Sequence, residues 1–372
     1  MSEPTLPAYG TGTIRDVLTS IGAHLGVPGC REDALGLPSS ERWVVLLVDG
    51  LGWQQSRAAL ARTPFLAGAI GHAQLITTGV PSTTATSITS LGTGLGPGQH
   101  GIAGYMYRNP YTKKIFSPLT WDQVTDPLAM QPMPTIFERA KSEGVAVTSV
   151  LPARFETSGL TLAALRGGHF EAVPDERDDE DRLTKTVAAA AKGEKSLVYV
   201  YERMLDHAGH GKGTGSPEWL EELIRIDAFA DALREELPDD TRLVVTGDHG
   251  MVDVPEDHRL VIEEEPELSA GVDLIGGEPR FRQLYTTKPD AVAARWADRL
   301  GSMAWVRTRE QAQAEGWFGK LAPRVADRFG DVVVALRDDW AVFTREVPGE
   351  FGLVGMHGSL TKAEMEIPLI CE

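Results

Sequence analysis

RLVVTGDHG, residues 242–250, sets the fold: an apolar run rich in valine that stops abruptly at Asp248-His249-Gly250. A run without polar alternation is buried on both faces, which is the habit of a strand inside a parallel sheet. The stretch before it, EWLEELIRIDAFADALREEL (218–237), is helix-like. The same pairing recurs outward along the chain. GVAVTSVLP (144–152) follows the helical IFERAKSEG, SLVYVY (196–201) follows RLTKTVAAAAKG (182–193), and VVLLVDG (44–50) leads into a polar segment. The alternation predicts an α/β fold, a mainly parallel sheet with helices on each side.

Residues 260–348 break that rhythm. Strand-like FRQLYTT (281–287), helix-like DAVAARWADRL (290–300), strand-like MAWVRTR (303–309) and VVVALRDDWAVF (332–343) predict a small α/β unit. It lies between Asp248-His249 and His357, so the chain leaves a core made of residues 1–259 and 349–372, builds a lid and returns. The acidic run from Asp175 to Asp181 reads as a solvated loop or helix start.

Open sheets of this kind gather functional residues just past the carboxyl ends of their strands. Asp49, Asp206 and Asp248 fall there, and His210, His249 and His357 accompany them. Six carboxylate and imidazole ligands are enough to hold two divalent cations. They are the ligand types zinc takes when it keeps a coordination position open for chemistry, whereas a structural knot is closed with thiolates.

Bulk composition narrows the partners. The 372 residues are 42% apolar and 24% charged, enough for one large core with an insertion. A formal charge of -17 excludes a broad basic surface for nucleic acid polymers or anionic membranes. An anionic substrate then needs local positive charge, which bound metal supplies. The segment MSEPTLPAYGTGTIRDVL lacks the basic start and apolar core of a signal peptide, and no apolar run approaches the ~20 residues that span a bilayer. The expectation is a cytoplasmic protein. Cys30 and Cys371 are the only cysteines and are expected to be reduced thiols. No heptad or interface stripe speaks to oligomeric state.

Between Gly79 and Tyr105 runs GVPSTTATSITSLGTGLGPGQHGIAGY, a turn leading into a short helix-like piece rich in Ser and Thr and ended by glycines. Hydroxyls at a helix start either cap it or, beside exposed N–H groups and the positive end of the dipole, seat a phosphate. Beside a two-metal ligand set the second role gains weight, because a metal-bound hydroxyl loses its proton near neutral pH.

The order Asp49, PSTTATS, GLGPGQHGI, Asp206-x-x-Gly-His210-x-x-Gly213, Asp248-His249-Gly-Met, His357-Gly resembles the alkaline phosphatase superfamily, and within it the nucleotide pyrophosphatase/phosphodiesterase branch. The resemblance runs from about Val44 to the C-terminus apart from the lid. It implies an alkaline phosphatase-like core and makes Thr84 the nucleophile, with Thr83 and Thr86 as the nearest alternatives. It assigns Asp206, His210 and His357 to one metal and Asp49, Asp248, His249 and the Thr84 oxygen to the other. Two cations about 4 Å apart then clamp a phosphoryl group through in-line displacement. The implied reaction is hydrolysis of a small anionic phosphate ester in two steps through a phospho-threonine, with zinc as the expected metal and manganese as the second choice.

Some positions depart from that pattern. An aromatic usually follows the nucleophile to stack on a nucleobase, and here Ala85 follows Thr84. Tyr105 stands where the branch carries an Asn after HGI, offering either a hydroxyl donor or a ring that packs on the wall. Phe155 is a candidate stacking surface, and Arg154, Arg280 and Arg282 are candidate ligands for a terminal phosphate or carboxylate. His100 fits the motif as a structural hydrogen-bonding residue, while His72, His169, His207 and His258 have no spacing argument. No Cys-x-Pro-x-Arg marks a sulfatase. A phosphomonoesterase or phosphonate hydrolase on the same scaffold stays open, and a non-catalytic metal-binding protein is the alternative from another class.

Overall fold

The computed structural model describes residues 3–372. Strands β1 (Arg42–Val48), β2 (Gln74–Thr77), β3 (Ala146–Pro152), β4 (His169–Val173), β5 (Ser196–Glu202) and β6 (Thr241–Gly247) precede the 260–348 insert. Within it lie β7 (Leu274–Glu278), β8 (Phe281–Tyr285), β9 (Ala304–Thr308) and β10 (Val332–Leu336), and β11 (Glu366–Cys371) closes the chain. The helices used below are α1 (Ile14–Leu25), α2 (Thr84–Thr93), α3 (Ile136–Ser142), α4 (Asp179–Ala190), α5 (Met204–Lys212), α6 (Pro217–Glu236) and α7 (Pro289–Leu300).

The core sheet has the order β2-β11-β6-β1-β5-β3-β4. Strands β6, β1, β5, β3 and β4 are parallel, and β11 runs antiparallel between β2 and β6. The valine and leucine runs are buried on both faces, as their composition requires. Val45, Leu47 and Tyr199 pack with Ile14, Val17 and Leu18 of α1, Ile88 and Leu91 of α2 and Phe137 of α3. Val44, Leu46, Val198 and Val245 pack on the opposite side with Trp219, Leu223 and Phe229 of α6. The acidic run starts α4, where the Asp178 side chain accepts from the Asp181 N–H as an N-cap.

Register positions the chemistry. Val48 of β1 stands opposite Glu202 of β5 and Gly247 of β6, so all three strands end at one level. Asp49, Arg203 and Asp248 are the next residues out. Gly50 takes a φ of +78°, and a Cβ there would come within 3.2 Å of the Asp206 backbone, so only glycine lets the β1 turn lie against α5.

The insert builds its own antiparallel sheet, β7-β8-β10-β9. One set of its residues packs on α7 through Val332, Val334, Leu284 and Trp296. Phe281, Trp305 and Val333 join a core shared with Val80, Ala85 and Ile102. The insert is thereby anchored to the segment that carries Thr84. Among the described residues no helix is long and apolar enough to cross a membrane.

Candidate active site

The turn before α2 and the turn containing His357 are stitched together. Ser82 N donates to Gly358 O at 3.1 Å, Gly358 N donates back to Ser82 Oγ at 3.2 Å, and Ser82 Oγ donates to Ser359 O at 2.7 Å. This brings Thr84, the first residue of α2, to the wall of a cleft of about 600 Å³ at the strand ends. Its hydroxyl lies 3.2 Å from His249 Nε2 and 3.4 Å from Asp49 Oδ1.

Three imidazoles are oriented alike. Nδ1 of His210, His249 and His357 meets the carbonyls of Gly355 (2.8 Å), Gly250 (3.0 Å) and Ser82 (2.9 Å). A carbonyl only accepts, so each Nδ1 carries the proton and each Nε2 presents a lone pair to the site. That arrangement suits metal ligation, where a backbone acceptor fixes the tautomer. Asp206, His210 and His357 form one group whose donor atoms all lie within 4.8 Å of each other, and Asp49, Asp206 and His249 form another. Asp206 therefore stands between the two groups. Asp248 adjoins the second, its Oδ2 3.5 Å from His249 Nε2.

The electrostatics call for cations. Asp206 Oδ1 and Asp248 Oδ2 are buried with no hydrogen-bond partner among the described residues. Burial, then Asp248 and Asp206, push the Asp49 carboxyl well above the usual range. Burial likewise raises Asp248, against the lowering influence of His249, while burial and the neighbouring His249 and His210 hold His357 well below an ordinary imidazole. Buried like charges with orphaned oxygens are costly unless a metal accepts their lone pairs. The donor set, its tautomers and its unsatisfied atoms all fit divalent cations.

Other candidates fall in different places. Tyr105, Arg154 and Phe155 line the cleft. Arg154 stacks on Phe155, its Cζ 4.7 Å from the ring centre, and the Tyr105 phenol is raised by burial and then by Glu278. Ala85 points into the core shared with the insert. His100 is structural: Ser90 Oγ meets Nε2 at 3.0 Å, Ile102 N donates to Nδ1 at 3.0 Å, and burial pushes its pKa down to about 3.

Arg280 and Arg282, expected as substrate ligands, are placed by the structure in buried ion pairs and not among the residues that line the cleft. Both are fully buried. Arg280 makes a two-pronged pair with Glu364, at 3.1 and 2.7 Å, and Arg282 grips Glu350 through both terminal nitrogens. Glu364 also accepts from Ser359 N at 3.0 Å, so the Arg280 pair braces the turn after His357. Arg280→Gln should cost roughly 3–5 kcal/mol in denaturant unfolding, because it leaves a buried carboxylate without its partner. Unchanged stability with a raised KM would instead return Arg280 to the substrate.

Among the lining residues that sequence reasoning missed, the following bear on the chemistry. Tyr201, opposite Leu47 in the ladder, donates its hydroxyl to Asp49 Oδ2. Arg203, the residue that follows β5 and leads into α5, lines the cleft, and its place at a strand end was available as a signal. His207 also lines the cleft. Glu278 comes from the insert, accepts from Thr83 Oγ1 at 3.3 Å and has its carboxyl pushed well up by burial. Nothing in the local sequence marks it.

A threonine hydroxyl at a helix start thus faces clustered carboxylate and imidazole donors at the strand ends of an open α/β sheet. The chain belongs to the Type I phosphodiesterase / nucleotide pyrophosphatase family, whose model matches residues 43–360. Its fold is shared with murine ectonucleotide pyrophosphatase / phosphodiesterase 5, at a TM-score of 0.68 and 19% identity over 88% of this chain and 87% of that one. The murine protein has also been solved as an inactive threonine-to-alanine variant in complex with AMP. Phosphonoacetate hydrolase from Sinorhizobium meliloti 1021, in complex with phosphonoformate, superposes with a TM-score of 0.69 at 19% identity, over 90% of this chain and 91% of that one. The catalytic subunit of human GPI ethanolamine phosphate transferase 3 is 33% identical over 100 residues. That stretch is 27% of this chain and spans 9% of the human protein.

Proposed function

We propose that this chain is a two-metal phosphodiesterase or nucleotide pyrophosphatase in which Thr84 attacks phosphorus. The observation that carries the reading is the Thr84 hydroxyl at the start of α2, within 3.4 Å of both Asp49 and His249. Asp206, His210 and His357 would hold one cation, and Asp49, Asp248, His249 and the Thr84 oxygen the other. The mixed imidazole and carboxylate set favours zinc, with manganese next. Bound there, the cations would supply a hydroxyl of lowered pKa and neutralise charge on the phosphoryl oxygens.

The chain's own groups do the positioning. Tyr201 holds one oxygen of Asp49, which leaves the other toward Thr84. The exposed N–H groups at the start of α2 favour the phosphoryl oxygens there. Thr84 Oγ forms a bond to phosphorus as the bond to the leaving oxygen breaks, giving a phospho-threonine. The Thr84 proton passes through solvent to the leaving oxygen; water then attacks phosphorus, the Oγ–P bond breaks, the water's oxygen stays on phosphate, and one of its protons returns to Thr84 Oγ. The inactivity of the murine threonine-to-alanine variant supports this role for a threonine. We read residues 260–348 as a lid that sets specificity, since Glu278 and Val347 line the cleft.

A phosphonate hydrolase or phosphomonoesterase is the second reading. Ala85 supplies no stacking surface in the cleft, and Tyr105 lines it as an extra contact for a terminal phosphoryl group. Hydrolysis of p-nitrophenyl phosphate, bis-p-nitrophenyl phosphate, p-nitrophenyl thymidine monophosphate and phosphonoacetate by zinc-reconstituted protein separates these readings, with metal-stripped protein as control. The diesters are expected to be preferred. A monoester preference moves the assignment to a phosphatase, phosphate release from phosphonoacetate without ester turnover moves it to a phosphonate hydrolase, and no turnover of any of the four defeats the hydrolase reading.

A further inference from the structure

Cationic side chains are scarce in the cleft. Among its lining residues Asp49, Asp206, Glu278 and Glu350 are acidic, and the guanidiniums are those of Arg154 and Arg203. These two arrive from neighbouring strand ends, Arg154 just after β3 and Arg203 just after β5. Both are fastened to one carboxylate. Arg154 Nη1 and Nη2 lie 2.5 and 2.8 Å from the two oxygens of Glu176, and Arg203 Nε lies 2.7 Å from Oε2.

Two guanidiniums on a single carboxylate leave a net positive charge at the cleft wall. Arg203 spends only Nε on Glu176, and among the described residues its two terminal nitrogens have no hydrogen-bond acceptor. Arg154 is fixed from the other side by stacking on Phe155, and its side chain is 49% exposed against 26% for Arg203. Both forks are thus oriented before any ligand arrives, and one keeps unused donors. Planar guanidinium forks match the oxygens of phosphate and carboxylate.

We propose that Arg154 and Arg203, held side by side on Glu176, form a seat for a second anionic group of the substrate, separate from the phosphoryl group at Thr84. The inference rests on the reading of Thr84 as the phosphoryl centre and names what the rest of the substrate carries. The ligand chemistry is a phosphate or a carboxylate borne by the group attached to the reacting phosphorus.

Calorimetric titration of the zinc-loaded full chain in a Thr84→Ala background, which blocks turnover, tests this with two ligand pairs. AMP is compared with α,β-methylene-ADP, and methylphosphonate with phosphonoacetate. In at least one pair the extended ligand should bind about tenfold or more tightly than its parent. Which pair shows the increment identifies phosphate or carboxylate as the second anion. The double substitution Arg154→Gln with Arg203→Gln should abolish the increment while the parent's Kd stays within about threefold. Arg154→Gln alone, at a half-exposed site, should remove part of the increment and serves if the double variant folds poorly. Parents that bind without any increment, or an increment that survives the substitutions, overturn the seat alone. No binding by any of the four ligands overturns the phosphoryl centre and the seat together.

Discussion

Thr84→Ala should lower kcat for a phosphodiester by at least about 10³-fold, since loss of a nucleophile removes the reaction path and leaves only what binding and electrostatics supply. The geometry makes this effect separable from folding. Thr84 is the buried first residue of α2, Thr83 before it is the N-cap, and the Thr84 hydroxyl's hydrogen-bond partners among the described residues are Asp49 and His249, side chains of the site itself. Melting should shift by only a few degrees, the cost of trimming one buried methyl and hydroxyl while the N-cap Thr83 stays in place. Thr84→Ser restores the oxygen and should recover most of the rate. The neighbouring threonines are occupied elsewhere: Thr83 Oγ1 donates to Glu278, and Thr86 Oγ1 donates to Ile102 O at 3.3 Å. Thr83→Ala and Thr86→Ala should keep turnover through the same covalent step. Acid quench of the wild type with a phosphorus-labelled diester should leave label on the peptide containing Thr84. A Thr84→Ala protein that turns over at the wild-type rate, or label on Thr83 or Thr86, would move the nucleophile.

The sheet was readable because its strands are valine and leucine on both faces, a pattern that only a buried parallel strand tolerates, as in β1 and β5. The same reading placed Asp49, Asp206 and Asp248 at one edge, since parallel strands in register end together. The ion pairs of Arg280 and Arg282 were hidden for a matching reason. Arg282 sits in β8, an interior strand of the second sheet whose every residue is buried, Arg280 sits buried in the turn that leads into it, and their partners Glu350 and Glu364 lie 68 and 84 positions away. No local pattern announces an ion pair closed over such a distance. Glu278 was invisible on the same ground, because it reaches the cleft only through the way the insert docks on the segment after Val80. Tyr201 could have been found by counting back from the strand end in register with β1. What sequence hides here is long-range closure, and what it displays is strand burial and strand ends.

Removing the cations should make the protein less stable as pH rises, and restoring them should reverse the trend. In the metal-free chain Asp49 and Asp248 have carboxyl groups raised by burial, Asp49 further by its acidic neighbours. A folded-state pKa above the unfolded one means the folded chain binds more protons. The stability this contributes is fully present below the unfolded value of about 4 and is lost as pH rises through the folded values. Bound cations invert the sign, since the ligands must be deprotonated to hold them, so affinity grows with pH. At a free zinc concentration about 1,000-fold above Kd the gain is about 4 kcal/mol for each site. Burial also depresses His100 and His357, which gives the opposite slope below the unfolded imidazole value of about 6.5, so the carboxylate trend is read above it: melting curves of chelator-treated and zinc-loaded protein between pH 7 and pH 8 should diverge, with the gap widest at pH 8. Asp248→Asn removes one charge from the cluster, so it should raise the melting temperature of the stripped protein and shrink the zinc increment. If the stripped protein became more stable toward pH 8, or if zinc left its melting unchanged, the buried carboxylates at the ends of β1 and β6 would have to be neutralised by something other than metal.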